Sequence, residues 1–183
     1  MKRVAVISVV CVVAVAVIFV AAFGGLNFLI SVPKPEIEYS EFPFTLTYEI
    51  NGEVKTISDT IICKFDGFKV IGEAGKYRKW KSYFKSGNDE ITILDLRGKN
   101  DKDERGNTVL ELYFYWGNAE YYMGDTEDGR AQNAQNFEWI DYKYENAEGK
   151  IGASGFKAEK ALKKYGIQLL EWKIAKPITN TFK

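Results

Sequence analysis

An apolar run at the start of the chain limits most strongly what it can fold into. From Val4 to Val32, twenty-nine residues pass without a charged side chain, directly after Met1, Lys2 and Arg3. The uninterrupted part, Val4 to Phe23, is twenty residues of Val, Ala, Ile and Phe broken only by Ser8 and Cys11. A helix needs about 20 such residues to cross a ~30 Å hydrocarbon layer. Residues 1–33 are therefore expected to be a short tail and a membrane-spanning anchor. A cleaved signal peptide competes with this reading, because small residues at Ala22 and Gly24 also suit cleavage. Length argues for the anchor: a signal-peptide core is typically ~7–15 residues, and Leu26, Phe28, Leu29, Ile30 and Val32 prolong this one. Lys2 and Arg3 precede the span, whereas Lys34 is followed by Glu36, Glu38 and Glu41. That asymmetry places the N-terminus inside and the rest outside, as a single-pass protein of the cell membrane whose partner through Val4 to Phe23 is the lipid bilayer.

Pro33, Lys34 and Pro35 interrupt any continuing helix. Residues 34–183 then suit one extracytoplasmic domain with one core. The chain has 25 basic and 25 acidic residues, so removing Lys2 and Arg3 leaves 23 against 25 outside. A nearly neutral domain carries no nucleic-acid footprint. Cys63 is alone outside, which rules out an internal disulfide there and fits a bacterial surface better than a eukaryotic secretory product. Its setting, Thr60-Ile61-Ile62-Cys63-Lys64-Phe65, reads as a strand with an inert buried thiol. The chain contains no histidine. Ser-His-Asp and Cys-His catalysis are excluded, as are zinc sites of the His or multi-Cys kinds. No catalytic residue, metal site or cofactor is expected.

Phe44, Leu46, Tyr48 and Ile50 alternate with Thr45, Thr47 and Glu49, the period of a half-buried strand. Asn51-Gly52 turns it back and sets Leu46 opposite Ile57 and Phe42 opposite Ile61. A further turn is expected at Asp66-Gly67. Tyr77, Trp80 and Phe84 are spaced as in a helix, yet a turn at Gly87-Asn88 would set Lys85 opposite Glu90, Phe84 opposite Ile91 and Ser82 opposite Ile93. That register predicts a strand. Its lysines, interleaved with aromatics, suit either an anionic polymer or lipid headgroups, or simply a solvated strand face.

Arg97 to Asn107 and Asp125 to Gly129 read as solvated charged loops. Counted from Asp101, a calcium loop fails at Arg105 and Leu112, where oxygen ligands belong. Phe137 to Tyr144 reads as a strand, Ser154 as the cap of a helix from Phe156 to Tyr165 stopped by Gly166, and Ile167 to Ala175 as a last strand with Leu170, Trp172 and Ile174 on one side. The fold expected is α+β: an antiparallel sheet of seven or eight strands with one C-terminal helix packed on it.

The candidate site comes from a hairpin expected over Val109 to Met123, turning at Gly117-Asn118. Its parity puts Leu110, Leu112, Phe114 and Trp116 on a core face with Ala119, Tyr121 and Met123. Tyr113, Tyr115 and Tyr122 fall on the other face with Glu111 and Glu120. Three tyrosines beside two carboxylates suit a polar ligand such as a sugar. Against this stands burial of the same face under Ala158, Ala161, Leu162 and Tyr165 of the helix.

The stretches from Phe42 to Gly52 and from Gly117 to Asp125 resemble those of membrane-anchored surface proteins, of no assigned activity, from clostridia-like Gram-positive bacteria. The resemblance implies a bacterial surface location. The function expected is a non-enzymatic surface domain that binds or scaffolds at the cell envelope, with a cell-wall polymer or another envelope protein as partner. The alternative is an envelope hydrolase using paired carboxylates.

Overall fold

The computed structural model describes residues 32–70, 75–88, 90–125 and 138–183. These residues form a mainly antiparallel β fold of two four-stranded sheets, instead of the single sheet expected. The proposed anchor lies outside the described residues. No helix among them is long and apolar enough to cross a membrane.

The first sheet begins with β1 (Tyr39–Ile50) and β2 (Glu53–Val70), joined at Asn51-Gly52. Both turn residues have positive φ, 53° and 84°, as a two-residue hairpin turn of matching twist requires. Leu46 faces Ile57 and Phe42 faces Ile61, as turn and parity predict. The turn expected at Asp66-Gly67 is a bulge: Gly67 takes a φ of 82°, the register shifts between Phe65 and Phe68, and β2 runs on to Val70. The segment of uncertain period is a strand, β3 (Lys76–Phe84), with Trp80 and Phe84 buried and Lys79, Lys81 and Lys85 exposed. It pairs with β2 and makes no hairpin with the next strand. Lys85 accordingly bonds Glu41 across the sheet instead of Glu90.

The second sheet has the order β4 (Ile91–Asp95), β5 (Thr108–Phe114), β6 (Trp139–Glu145) and β7 (Ile151–Lys157). One helical turn, α1 (Ala119–Tyr122), follows β5, and α2 (Ala158–Tyr165) follows β7. Ser154 caps nothing; it lies within β7 opposite Tyr142, and the helix starts after Lys157 without a side-chain cap. Gly166 does stop it, as expected, and β8 (Ile167–Ile174) returns to pair with β1. A register shift there throws Leu170 out to solvent, while Ile167 and Trp172 turn inward.

The inner faces of the two sheets share one apolar core, built from Phe42, Leu46, Ile61, Leu112, Phe114, Ile140 and Ile167. Phe114 of one sheet meets Trp172 of the other at 4.9 Å between ring centres. Such stacking lets both sheets bury one face and leave the other outward. Helix α2 closes an end of this core, with Ala161 fully buried and Tyr165 stacked on Phe156. Lys164 and Tyr165 both bond Asp101, so the loop expected to be merely solvated is tied to the helix.

The chain joins the domain at a buried ion pair. Arg78 on β3 donates two hydrogen bonds to Asp125 at 2.8 and 2.6 Å, and the Trp80 indole donates a third at 2.8 Å. Asp125 is thus buried, not in a solvated loop. Arg78 also donates to the Pro33 carbonyl and stacks on Phe182. Lys34 and Lys183 exchange backbone hydrogen bonds, which brings both ends of the domain together beside β3.

Candidate functional site

The expected hairpin over Val109 to Met123 does not form. β5 ends at Phe114, and Asn118, instead of turning the chain, caps α1: its side chain accepts from the Tyr121 amide at 3.0 Å. Tyr122 therefore enters the core, 2% exposed, with its ring against Phe42 and Trp116 and its hydroxyl donating to the Trp116 carbonyl. Glu120 lies on the first turn of α1. A register shift between Val109 and Glu111 also breaks the expected parity, so that Val109, the strand partner of Tyr144, and not Leu110 lies buried.

Tyr113, Tyr115 and Glu111 keep the face expected of them, the outer face of the second sheet. Two rows cross all four strands there: Thr92, Tyr113, Asp141 and Gly155 in one, Asp95, Glu111, Lys143 and Ala153 in the other. Helix α2 packs against the core side of Phe156, so it does not cover this face. Tyr115 is 43% exposed and Trp139, on the same side of β6 as Asp141, is 45% exposed.

A groove of about 700 Å³ lies along the second row, lined by Glu90, Thr92, Arg97, Leu110, Glu111 and Lys143 among others. Lys143 bridges two carboxylates, Glu90 at 2.8 Å and Glu111 at 3.0 Å, and Arg97 holds the other Glu111 oxygen at 2.7 Å. Burial pushes the Glu111 carboxyl upward, but the hydrogen bonds from Lys143 and Arg97 outweigh it and hold its pKa below the ordinary value. The hydrogen bond that Lys143 donates to Glu90 is the first cause raising the Lys143 pKa. The second oxygen of Glu90 is buried and has no hydrogen-bond partner among the described residues.

Asp141 differs from Glu111 in having no ion pair or hydrogen bond among the described residues. Burial alone raises its pKa. Its carboxylate leans over Gly155, where a Cβ would stand 2.5 Å from Oδ1 and 3.6 Å from the Trp139 ring. Burial, and then the charge of Asp141, pushes the Tyr113 hydroxyl up to about 12. Burial first and Glu120 next raise Tyr115. Both phenols therefore stay protonated donors at neutral pH. Cys63, fully buried, is pushed up to about 12 mainly by burial and remains an unreactive thiol.

Trp139, Asp141 and Lys143 were not singled out from sequence. Their alternation with Ile140, Tyr142 and Tyr144 does assign them to an outer face. What the alternation does not reveal is that β6 pairs with β5, which sets Asp141 beside Tyr113 and Lys143 beside Glu111. Among the described residues, no group of three His, Cys, Asp or Glu side chains is placed to hold a metal ion. No protein-family model, no curated protein and no solved structure matches the chain.

Proposed function

We propose that the chain is a single-pass surface protein whose β domain binds a hydroxyl-rich polymer of the cell envelope, without catalysing a reaction on it. The observation that carries this reading is the outer face of the second sheet. Exposed rings of Tyr115 and Trp139 share this face with Asp141, whose carboxylate has no partner among the described residues. Flat aromatic surface beside hydrogen-bond acceptors suits a ligand with apolar faces and many hydroxyl donors.

The competing reading is a hydrolase with paired carboxylates, and Asp141 favours it, since burial holds its proton more tightly than usual. Glu90 and Glu111 weigh against it. They share Lys143, and Glu111 is held ionised, which removes it as a general acid at neutral pH. Purified full-length protein in detergent should sediment with isolated cell-wall polymer and leave the polymer's chain length unchanged. Shortened polymer would favour the hydrolase, and no sedimentation above a control membrane protein would remove the binding reading. On wall-stripped cells, added protease should remove a C-terminal tag; a protected tag would reverse the orientation.

A further inference from the structure

At one end of the first sheet, β2 and β3 continue past β1. Tyr39, the first residue of β1, pairs with Lys64, while β2 and β3 remain paired from Phe65 to Val70 and from Trp80 back to Lys76. This projecting arm has an unusual surface. Val70 is 70% exposed and Phe68 is 38% exposed, in a domain that buries most of its large apolar side chains. Lys76 lies opposite Val70 with its ammonium 4.5 Å from the Phe68 ring centre, and Lys69 is opposite Tyr77. No acidic side chain among the described residues pairs with Lys69 or Lys76.

The arm is also where the chain joins the domain. The Pro33 carbonyl accepts a hydrogen bond from Arg78, and Arg78 is the strand partner of Phe68. Val70 lies two residues beyond that row, about 7 Å further along the strand. Phe23 and Pro33 are ten positions apart, with only nine residues between them. Even fully extended they span roughly 35 Å, and most of them are apolar. We propose that the β2–β3 arm is seated in the headgroup layer of the bilayer, with Phe68 and Val70 at the acyl boundary and Lys69 and Lys76 on lipid phosphates. The proposal rests on the reading of Val4 to Phe23 as an anchor. Apolar side chains interspersed with lysines are the composition that a lipid interface takes up, the ammoniums reaching back to anionic headgroups.

The test uses the full chain carrying Cys11→Ala, reconstituted in vesicles with and without phosphatidylglycerol. Cys63 is buried and unreactive, so a nitroxide can be attached at Val70→Cys or, as a reference, at Val54→Cys beside the far turn. The two positions are sixteen residues apart on β2, roughly 50 Å. The label at 70 should collide severalfold more often with lipid-soluble oxygen, relative to a water-soluble nickel chelate, than the label at 54. With phosphatidylglycerol present, adding Lys69→Glu and Lys76→Glu should bring the ratio at 70 down severalfold. Equal ratios at 70 and 54 in vesicles from which alkali does not extract the chain would overturn the docking while leaving the anchor standing. Extraction of the chain by alkali would instead remove the anchor, and the docking with it. A ratio at 70 unmoved by the two Glu substitutions would overturn the assignment of the lysines.

Discussion

Arg78 with Asp125, and Lys143 with Glu111 and Glu90, are the same chemistry put to opposite uses. In the first, both side chains are almost wholly buried, two parallel hydrogen bonds join them, and Trp80 takes up a remaining lone pair. The carboxylate is closed to any ligand, and it fastens the end of α1 to β3. In the second, Glu111 is as buried as Asp125 but its cations are not: Lys143 is a third exposed and Arg97 is mostly exposed. Charge that is sealed and bonded on every side holds a fold; charge whose cations reach an open sheet face is available for recognition.

Breaking the sealed pair should have the largest effect. Asp125→Ala leaves a buried guanidinium without its carboxylate and the Trp80 indole without its acceptor. Such a loss costs about 3–5 kcal/mol, a fall in Tm of roughly 10 °C for a domain this size, measurable by calorimetry of the detergent-solubilised chain. A change of only a degree or two would show that the network is not closed.

The open cluster should respond less and with a pH signature. Lys143→Met should cost about 1–2 kcal/mol, between the values for exposed and buried pairs. Glu111 has its pKa lowered in the folded state, so its share is present above the ordinary carboxylate value of about 4.3 and is lost as pH falls through the folded value. Lys143 has its pKa raised, so its share is lost as pH rises through its folded value, above about 10.4. Urea titrations of wild type and variant should therefore differ most between these limits and converge outside them. A constant difference at every pH would point to lost packing instead of charge.

Asp141 should go the other way. Its pKa is raised by burial, so the folded protein is penalised as pH rises from the ordinary aspartate value through the raised one. Asp141→Asn should have a higher Tm than wild type at neutral pH and an equal one below about pH 4. A destabilised variant at neutral pH would mean that the carboxylate has a partner that stabilises its charge.

Much of this architecture is legible where local and global signals agree. The Asn51-Gly52 turn and the parity of Phe42, Leu46, Ile57 and Ile61 specify one register, and that register forms. Legibility ends at bulges, which reverse parity without altering composition: Gly67 extends β2, Val109 displaces Leu110, and Leu170 turns outward. It ends again at Gly117-Asn118, because Asn serves a tight turn and a helix cap equally well and only the following Ala119 and Glu120 tip the balance. One of the five candidate residues left the face with that turn. Tyr113 and Tyr115 stand on one open face with Glu111 buried at its floor, while Tyr122 went into the core. The partners of that face, Asp141, Lys143 and Trp139, depend on which strands become neighbours, and no local pattern states that.

The smallest effect on stability should come from Tyr115→Ala, and it is the sharpest test of what the open face is for. Tyr115 lies just past the end of β5, nearly half exposed, without a hydrogen bond to its hydroxyl among the described residues. Truncating a side chain in such a place changes stability by roughly 0.5 kcal/mol or less. If the face binds a polymer through its rings, the same truncation removes stacking surface next to Asp141 and should weaken sedimentation with wall polymer severalfold. Trp139→Ala should do the same, and the double variant should lose no more stability than the sum of the two, since the residues lie on the surface. A Tyr115→Ala chain that unfolds would place the ring in the core's service. One that stays folded and sediments like wild type would leave the face without a ligand, and the distinction between sealed and open charge would then rest on stability alone.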